Sequence, residues 1–215
     1  MDMIAIETDT RSPRKTSSRP ALEIRFHFVD GSTQAFIQLD AEAAEVIRQR
    51  ADSSNLFNQS RFVLADDYSK SVFVGAQINR VDLVFNGPGF SRIPVDSADL
   101  VELTETEFHR CVLTNDPARL QRRDRPLQVG DLMVSFLHLR MKGGSRVYLM
   151  REALVKLPAE SQSFMQGLLS KGTYGIRLRA GGYALLNLQN LIGYTVYPGV
   201  PELPADAWMA QPMAT

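Results

Sequence analysis

A chain of 215 residues with 44% hydrophobic and 22% charged side chains has the composition of an ordinary globular protein, long enough for one large domain or two of about 90 to 100 residues. No apolar run approaches the roughly 18 residues that a membrane span needs, and a single cysteine, Cys111, excludes an internal disulfide. The 24 basic and 24 acidic side chains cancel only in sum: residues 21–117 carry 8 basic and 15 acidic groups, whereas residues 118–215 carry 12 and 6. An acidic first half and a basic second half are either two solvated faces or surfaces that steer a partner, another copy of the chain or an anion.

The start of the chain, MDMIAIETDT, has no basic opening and no apolar stretch of a secretory signal, which with the lone cysteine predicts a cytoplasmic protein that does not sit in a membrane. Residues 1–20 include RSPRKTSSRP and read as a flexible tail in which Met3 to Ile6 could form a short edge strand. Leu22, Ile24, Phe26 and Phe28 then alternate with polar residues, the period of a half-buried strand. Asp30-Gly31 turns the chain into a partner strand, where Ala35, Ile37 and Leu39 are expected to continue the apolar face. Asp40 is placed to cap a helix over AEAAEVIRQRA, a run of good helix formers. Three strands follow within Phe62 to Phe85, turned near Asp66-Asp67 and near Gln77 to Arg80, so that residues 21–87 form a ββαβββ unit.

Residues 88–126 read as a connector. Within it Thr104-Glu105-Thr106-Glu107 fits a capping box, with Phe108, Cys111 and Val112 on one side of the short helix it would start. The order of the first unit then repeats over residues 127–199. Phe62 to Tyr174 and Phe85 to Tyr197 are both steps of 112 (174 − 62 and 197 − 85), while Leu22, Phe26 and Phe28 match Met133, Leu137 and Leu139 at 111. One extra residue in the Lys142-Gly143-Gly144 turn would reconcile the two steps. A second helix is expected near Leu157-Pro158-Ala159-Glu160, and residues 200–215, with Trp208, form a Pro-containing tail able to pack back or hold a partner. The expected fold is therefore α+β, a tandem duplication of a ββαβββ unit, each unit a small curved antiparallel sheet or partial barrel with one covering helix.

Few side chains point to chemistry. His27 and His138 fall 111 residues apart on the non-core face of matching strands and form a pseudo-symmetric polar pair, either acid–base groups at an interface or half-exposed strand residues. His109 and Cys111 lie about 200° apart around a helix and do not make a nucleophile–base pair. Asp66-Asp67 suits a turn better than a cation site. No ligand-spaced His or Cys cluster, GxSxG, Walker loop, dinucleotide fingerprint, HExxH or CxxC is present, so no metal, cofactor or catalytic residue is assigned.

A basic face is the sharpest surface signal: Arg140, Lys142 and Arg146 around one hairpin, Arg177 and Arg179 on another strand, and Tyr183 as a stacking group for an anion or nucleic acid. The rival reading is an exposed face whose charges protect sheet edges from aggregation. Arg119 to Arg123 resembles, over five residues, the RxxxR spacing with which PilZ-type domains grip cyclic dinucleotides; the companion Asp/Asn-x-Ser-x-x-Gly element is missing from VGDLMVSFLHL. SVFVGAQINRVDLVF is faintly similar to the closing strands of Sm-like barrels, without the earlier half of that pattern. No family is assigned. The expected function is a non-enzymatic binding or assembly protein that engages a protein partner or itself; the alternatives are a nucleic-acid-binding module and an enzyme without a short motif.

Overall fold

In a computed structural model of the protein, the structure describes residues 19–51, 56–66, 68–86, 100–113, 128–154, 171–197 and Trp208. The first hairpin joins β1 (Leu22–Phe28) to β2 (Thr33–Gln38) through a turn closed by Phe28 N–H donating to Ser32 O, with Gly31 at φ 84. That turn pairs His27 with Thr33 and Ile24 with Phe36. The core face of β2 is therefore Gln34, Phe36 and Gln38, not the expected Ala35, Ile37 and Leu39: Ile37 is 64% exposed and Leu39 62%. The run Ala-Phe-Ile is apolar on both faces, so the turn sets the register, and one residue of slip exchanges the faces. Helix α1 (Ala41–Ala51) starts as anticipated, with Asp40 Oδ1 accepting from Ala43 N–H at 2.7 Å.

After α1 come the hairpin β3 (Arg61–Ala65) and β4 (Lys70–Val74), a 3-10 turn at Gly75–Gln77, and β5 (Ile78–Phe85). The expected connector contains a strand, β6 (Leu100–Leu103), directly before α2 (Glu105–Leu113). The second half has β7 (Leu132–Met141), β8 (Arg146–Leu154), β9 (Thr173–Arg177), β10 (Tyr183–Asn187), a 3-10 turn at Leu188–Asn190 and β11 (Leu191–Tyr197). The predicted second helix near residue 158 lies outside the described residues.

The halves are not two separate antiparallel sheets. Among the described residues nine strands form one mixed sheet in the order β11-β7-β8-β6-β9-β10-β5-β1-β2, with β3-β4 as a separate two-stranded sheet. Two pairings bring this about. β10 of the second half runs antiparallel to β5 of the first, from Tyr183 opposite Leu83 to Leu186 opposite Arg80, and β6 bridges β9 in parallel at Val101–Arg177.

Strand alternation then sends β10 into two cores at once. Ala184 and Leu186 join Leu137, Leu139, Val147 and Leu149 on one side, while Tyr183 and Leu185 join Leu22, Ile24, Phe26, Val81 and Leu83 on the other. The β3-β4 hairpin covers the latter, the first core, with Phe62, Leu64 and Phe73, and the core around Leu137 and Leu149 is the second. A third cluster, Phe108, Phe136 and Tyr148, lies under α2.

The hydrogen-bond registers of the halves run in parallel. Met141 N–H to Ser145 O repeats Phe28 N–H to Ser32 O at a step of 113 (141 − 28 and 145 − 32), and the bulged pairing of β11 with β7 repeats that of β5 with β1. The 3-10 turns at Gly75–Gln77 and Leu188–Asn190 keep the same step (188 − 75). The odd residue sits in the turn between β9 and β10: Leu178 N–H reaches Gly182 O, whereas in the β3-β4 turn Asp66 N–H reaches Ser69 O. The Lys142-Gly143-Gly144 turn has no insertion. By this register His27 matches Arg140 and His138 matches Arg25, so the two histidines are not equivalent.

Candidate functional site

Strand β5 reads Ile-Asn-Arg-Val-Asp-Leu-Val-Phe, and its alternation buries Val81 and Leu83 in the first core while turning Arg80 and Asp82 to the opposite side. Pairing with β1 sets His27 beside Arg80 and Arg25 beside Asp82. The resulting polar cluster is closely bonded. Arg80 donates from Nε and Nη2 to Asp82 and from Nη1 and Nη2 to Glu102 of β6, the last pair at 2.8 Å. His27 Nε2 lies 3.0 Å from Asp82 Oδ2, and Thr33 Oγ1 lies 3.3 Å from His27 Nδ1. Asp82 is nearly buried, with its side chain 7% exposed, and burial pushes its pKa up; the bonds from His27 and Arg80 outweigh this and hold it below the usual aspartate value. Burial also opposes the charge of Arg80, yet Glu102 and Asp82 raise its pKa above that of an ordinary arginine.

Thr33, His27 and Asp82 stand in the order of a hydroxyl–imidazole–carboxylate relay. Two features weigh against that chemistry: the Thr33–His27 separation exceeds the roughly 2.6–3.2 Å reach expected of a working base, and Asp82 is already engaged by Arg80. The cluster ties β1, β5 and β6 together, which suits a staple across the sheet. Arg80, Asp82 and Glu102 are not singled out by local sequence pattern; their signal is Arg-x-Asp on one face of a strand whose other face carries Val81, Leu83 and Phe85.

His138 has different surroundings. It stacks on Tyr148 at 4.8 Å and 18°, with Phe108 of α2 6.3 Å away, and its Nε2 is buried without a hydrogen bond. Burial, with Arg146 and Arg140 nearby, lowers its pKa. The two histidines also face opposite sides of the sheet: His27 shares a side with Arg80 and Leu186, and His138 points away from the core that Leu137 and Leu139 enter. The structure does not bring them together.

Helix α2 has the expected capping box, Glu107 N–H donating to Thr104 Oγ1 at 3.3 Å and Thr104 N–H to Glu107 Oε2 at 3.1 Å. Its acids absorb part of the proposed basic face. Arg179 bonds Glu107 and holds that carboxyl at about 2, while Arg146 lies 3.7 Å from Glu105, which also accepts from Tyr148 Oη at 2.5 Å. Lys142 Nζ donates to Asn190 at 3.0 Å. Tyr183 is 1% exposed and stacks on Phe85 in the first core, so burial removes it as a stacking group for a ligand. Arg140 and Arg177 are exposed on strands.

Asp66 accepts from Tyr68 N–H and Ser69 N–H, as a turn residue does, and Asp67 and the Arg119–Arg123 spacing lie outside the described residues. His109 contacts Glu105 at 3.6 Å at the surface, and Cys111 packs with the cluster under α2. Trp208 is 96% exposed. Among the described residues, no group of three or more His, Cys, Asp or Glu could hold a metal ion, and no helix is long and apolar enough to cross a membrane.

The remaining feature is a pair of edge strands, open among the described residues, that correspond by the 113-residue step to the two partners of the β10–β5 joint. β11 ends the large sheet and β4 ends the small one. Their exposed apolar residues are Val72 (52%) and Val74 (55%) on β4, with Val63 (49%) cross-strand on β3, and Ile192 (64%) and Tyr194 (36%) on β11. The fold and these edges define an α+β protein with a large mixed sheet. No family model, curated protein or solved structure matches the chain at a significant level.

Proposed function

We propose that this chain is a non-enzymatic binding and assembly protein, built as an internal pseudo-dimer from a tandem duplication of a ββαβββ unit, and that its first partner is itself. The observation that carries this reading is the conjunction of the repeated 113-residue register with two uncharged stretches of strand edge, Ser71–Val74 and Leu191–Tyr197, that are open among the described residues and have apolar side chains exposed. Soluble proteins normally blunt such edges with charge, proline or a covering element. The engagement of Arg80, Asp82 and Glu102 with one another favours a structural role for the polar cluster over turnover. Arginines paired to α2 and a buried Tyr183 give the nucleic-acid reading little support. A cytoplasmic setting remains part of the proposal, resting on the single cysteine. Sedimentation velocity on the full chain tests the reading: a species heavier than the 24.0 kDa monomer is expected, populated increasingly with concentration. A monomer at every concentration would remove self-assembly.

A further inference from the structure

We infer that β4 of one copy pairs antiparallel with β11 of a second copy, in the register Lys70–Val196, Ser71–Thr195, Val72–Tyr194 and Phe73–Gly193, and that two such joints close a symmetric dimer. The inference rests on the assembly reading and specifies its surface. It comes from the joint already made inside the chain. There, β10 lies on β5 with Tyr183, Ala184, Leu185 and Leu186 opposite Leu83, Asp82, Val81 and Arg80. Moved by the 113-residue step, β10 becomes β4 (183 − 113 = 70) and β5 becomes β11 (83 + 113 = 196), and the same pairing takes the register above.

Side-chain exposure supports that register independently. Strand faces alternate, so the transferred pairing places Val72 across from Tyr194, both exposed in the single chain, and continues to Val63, which pairs with Val72 on β3. Val74 and Ile192, also exposed, fall at the next position. In the internal joint the matching residue of β10, Leu185, is buried in the core of the half it joins. Tyr194 and Val196 share the side of β11 that faces Leu137 and Leu139, so an incoming Val72 would extend the second core as Leu185 extends the first.

A second copy, and not the same chain, is the occupant. Within one chain β4 is fixed by Phe73 against Phe26, Phe28 and Phe36, with ring centroids 5.1 to 5.8 Å apart. The turn that follows it is held by Asn187 and Asn190, which donate to the carbonyls of Ile78 and Ala76. In this arrangement β4 pairs with β3 and β11 with β7, and the two do not pair with each other. The half that carries β4 is acidic and the half that carries β11 basic, which steers the two towards each other at long range. Paired edges related by a two-fold axis close without leaving a free copy of either.

The test uses cross-strand cysteines in a Cys111→Ser background. Full-length chains carrying Ser71→Cys and Thr195→Cys, with tags of different size, are mixed under mild oxidation and run without reductant. The expected result is a covalent heterodimer from the mixture, lost when Lys70→Cys replaces Ser71→Cys, because a one-residue shift points the thiol to the other face. Val72→Lys, a substitution at an exposed position, should abolish the cross-link while leaving the far-UV circular dichroism unchanged. Absence of the heterodimer, or an internal cross-link when both cysteines are placed in one chain, overturns the inference. If the wild type sediments as an oligomer but the cysteine-bearing chains form no such link, only this joint fails; if the wild type sediments as a monomer, the assembly reading fails with it.

Discussion

The hairpins β3-β4 and β9-β10 occupy matching places in the two halves and have matching registers, yet one lies within the large sheet and the other stands apart. All five residues of β10 are buried, whereas β4 alternates between half-buried and exposed. The difference lies in the neighbour. β10 has β5 along its outer edge, and both of its faces then meet a core; among the described residues β4 has no strand there, and only the Phe73 face is covered. An edge in a β-protein is thus a property of what lies next to the strand as much as of its own residues.

Matched substitutions separate the two situations. The largest effect is expected on the strand that receives the hairpin. Asp82→Ala leaves Arg80 and His27 without their shared carboxylate in a nearly buried site and should cost about 3–5 kcal/mol in chemical denaturation, whereas Thr195→Ala, its exposed counterpart on β11, should change the monomer by less than about 0.5 kcal/mol. Because the native pKa of Asp82 is depressed, its contribution is present above the ordinary value of 3.8 and is lost as pH falls through the lower native value, so the gap between wild type and variant should narrow in acid. Leu185→Ala opens a cavity beside Leu83 and should cost about 2–5 kcal/mol. Val72→Ala, the same position in the other hairpin, should leave the stability of the monomer within about 0.5 kcal/mol of wild type and weaken self-association instead.

Smaller effects belong to α2, which covers the outer face of the second half. Thr104→Ala removes the hydroxyl of the capping box and should lower stability by about 1 kcal/mol. His138, under that helix, has a native pKa below 6.5, so the unfolded chain binds more protons as pH falls past that value and stability declines. His138→Gln should flatten this decline between pH 6.5 and the lower native pKa, by a margin smaller than the other effects, measured as the difference between wild-type and variant stability profiles.

Much of the fold is legible in local pattern. Leu22, Ile24 and Phe26 declare β1, Asp40 declares the start of α1, and Thr104 with Glu107 declares α2. Pairings between distant segments are less so. Nothing in Tyr183 to Asn187 states that the strand will lie on β5 and not beside β11, and Leu100–Leu103 is only four residues long, too short for its period to stand out in a connector. Ala35-Phe36-Ile37 is apolar on both faces, so its register waits on the turn at Gly31. The spacing of His27 and His138 was misleading because two histidines attract notice and a two-residue difference of register does not. Tyr183 was misplaced for a related reason: its exposure depends on Leu83 and Phe85 of the other half, which local sequence does not bring near.

Hydrogen–deuterium exchange of the wild-type chain at low and high protein concentration tests the matching of the two edges most directly. Those backbone amides of Lys70–Val74 and Leu191–Val196 that point away from β3 and β7 should exchange fast in dilute solution and slow together as concentration rises, while those of β10 and β5 stay slow throughout. Unchanged exchange at both edges, or slowing at β2 alone, would contradict it.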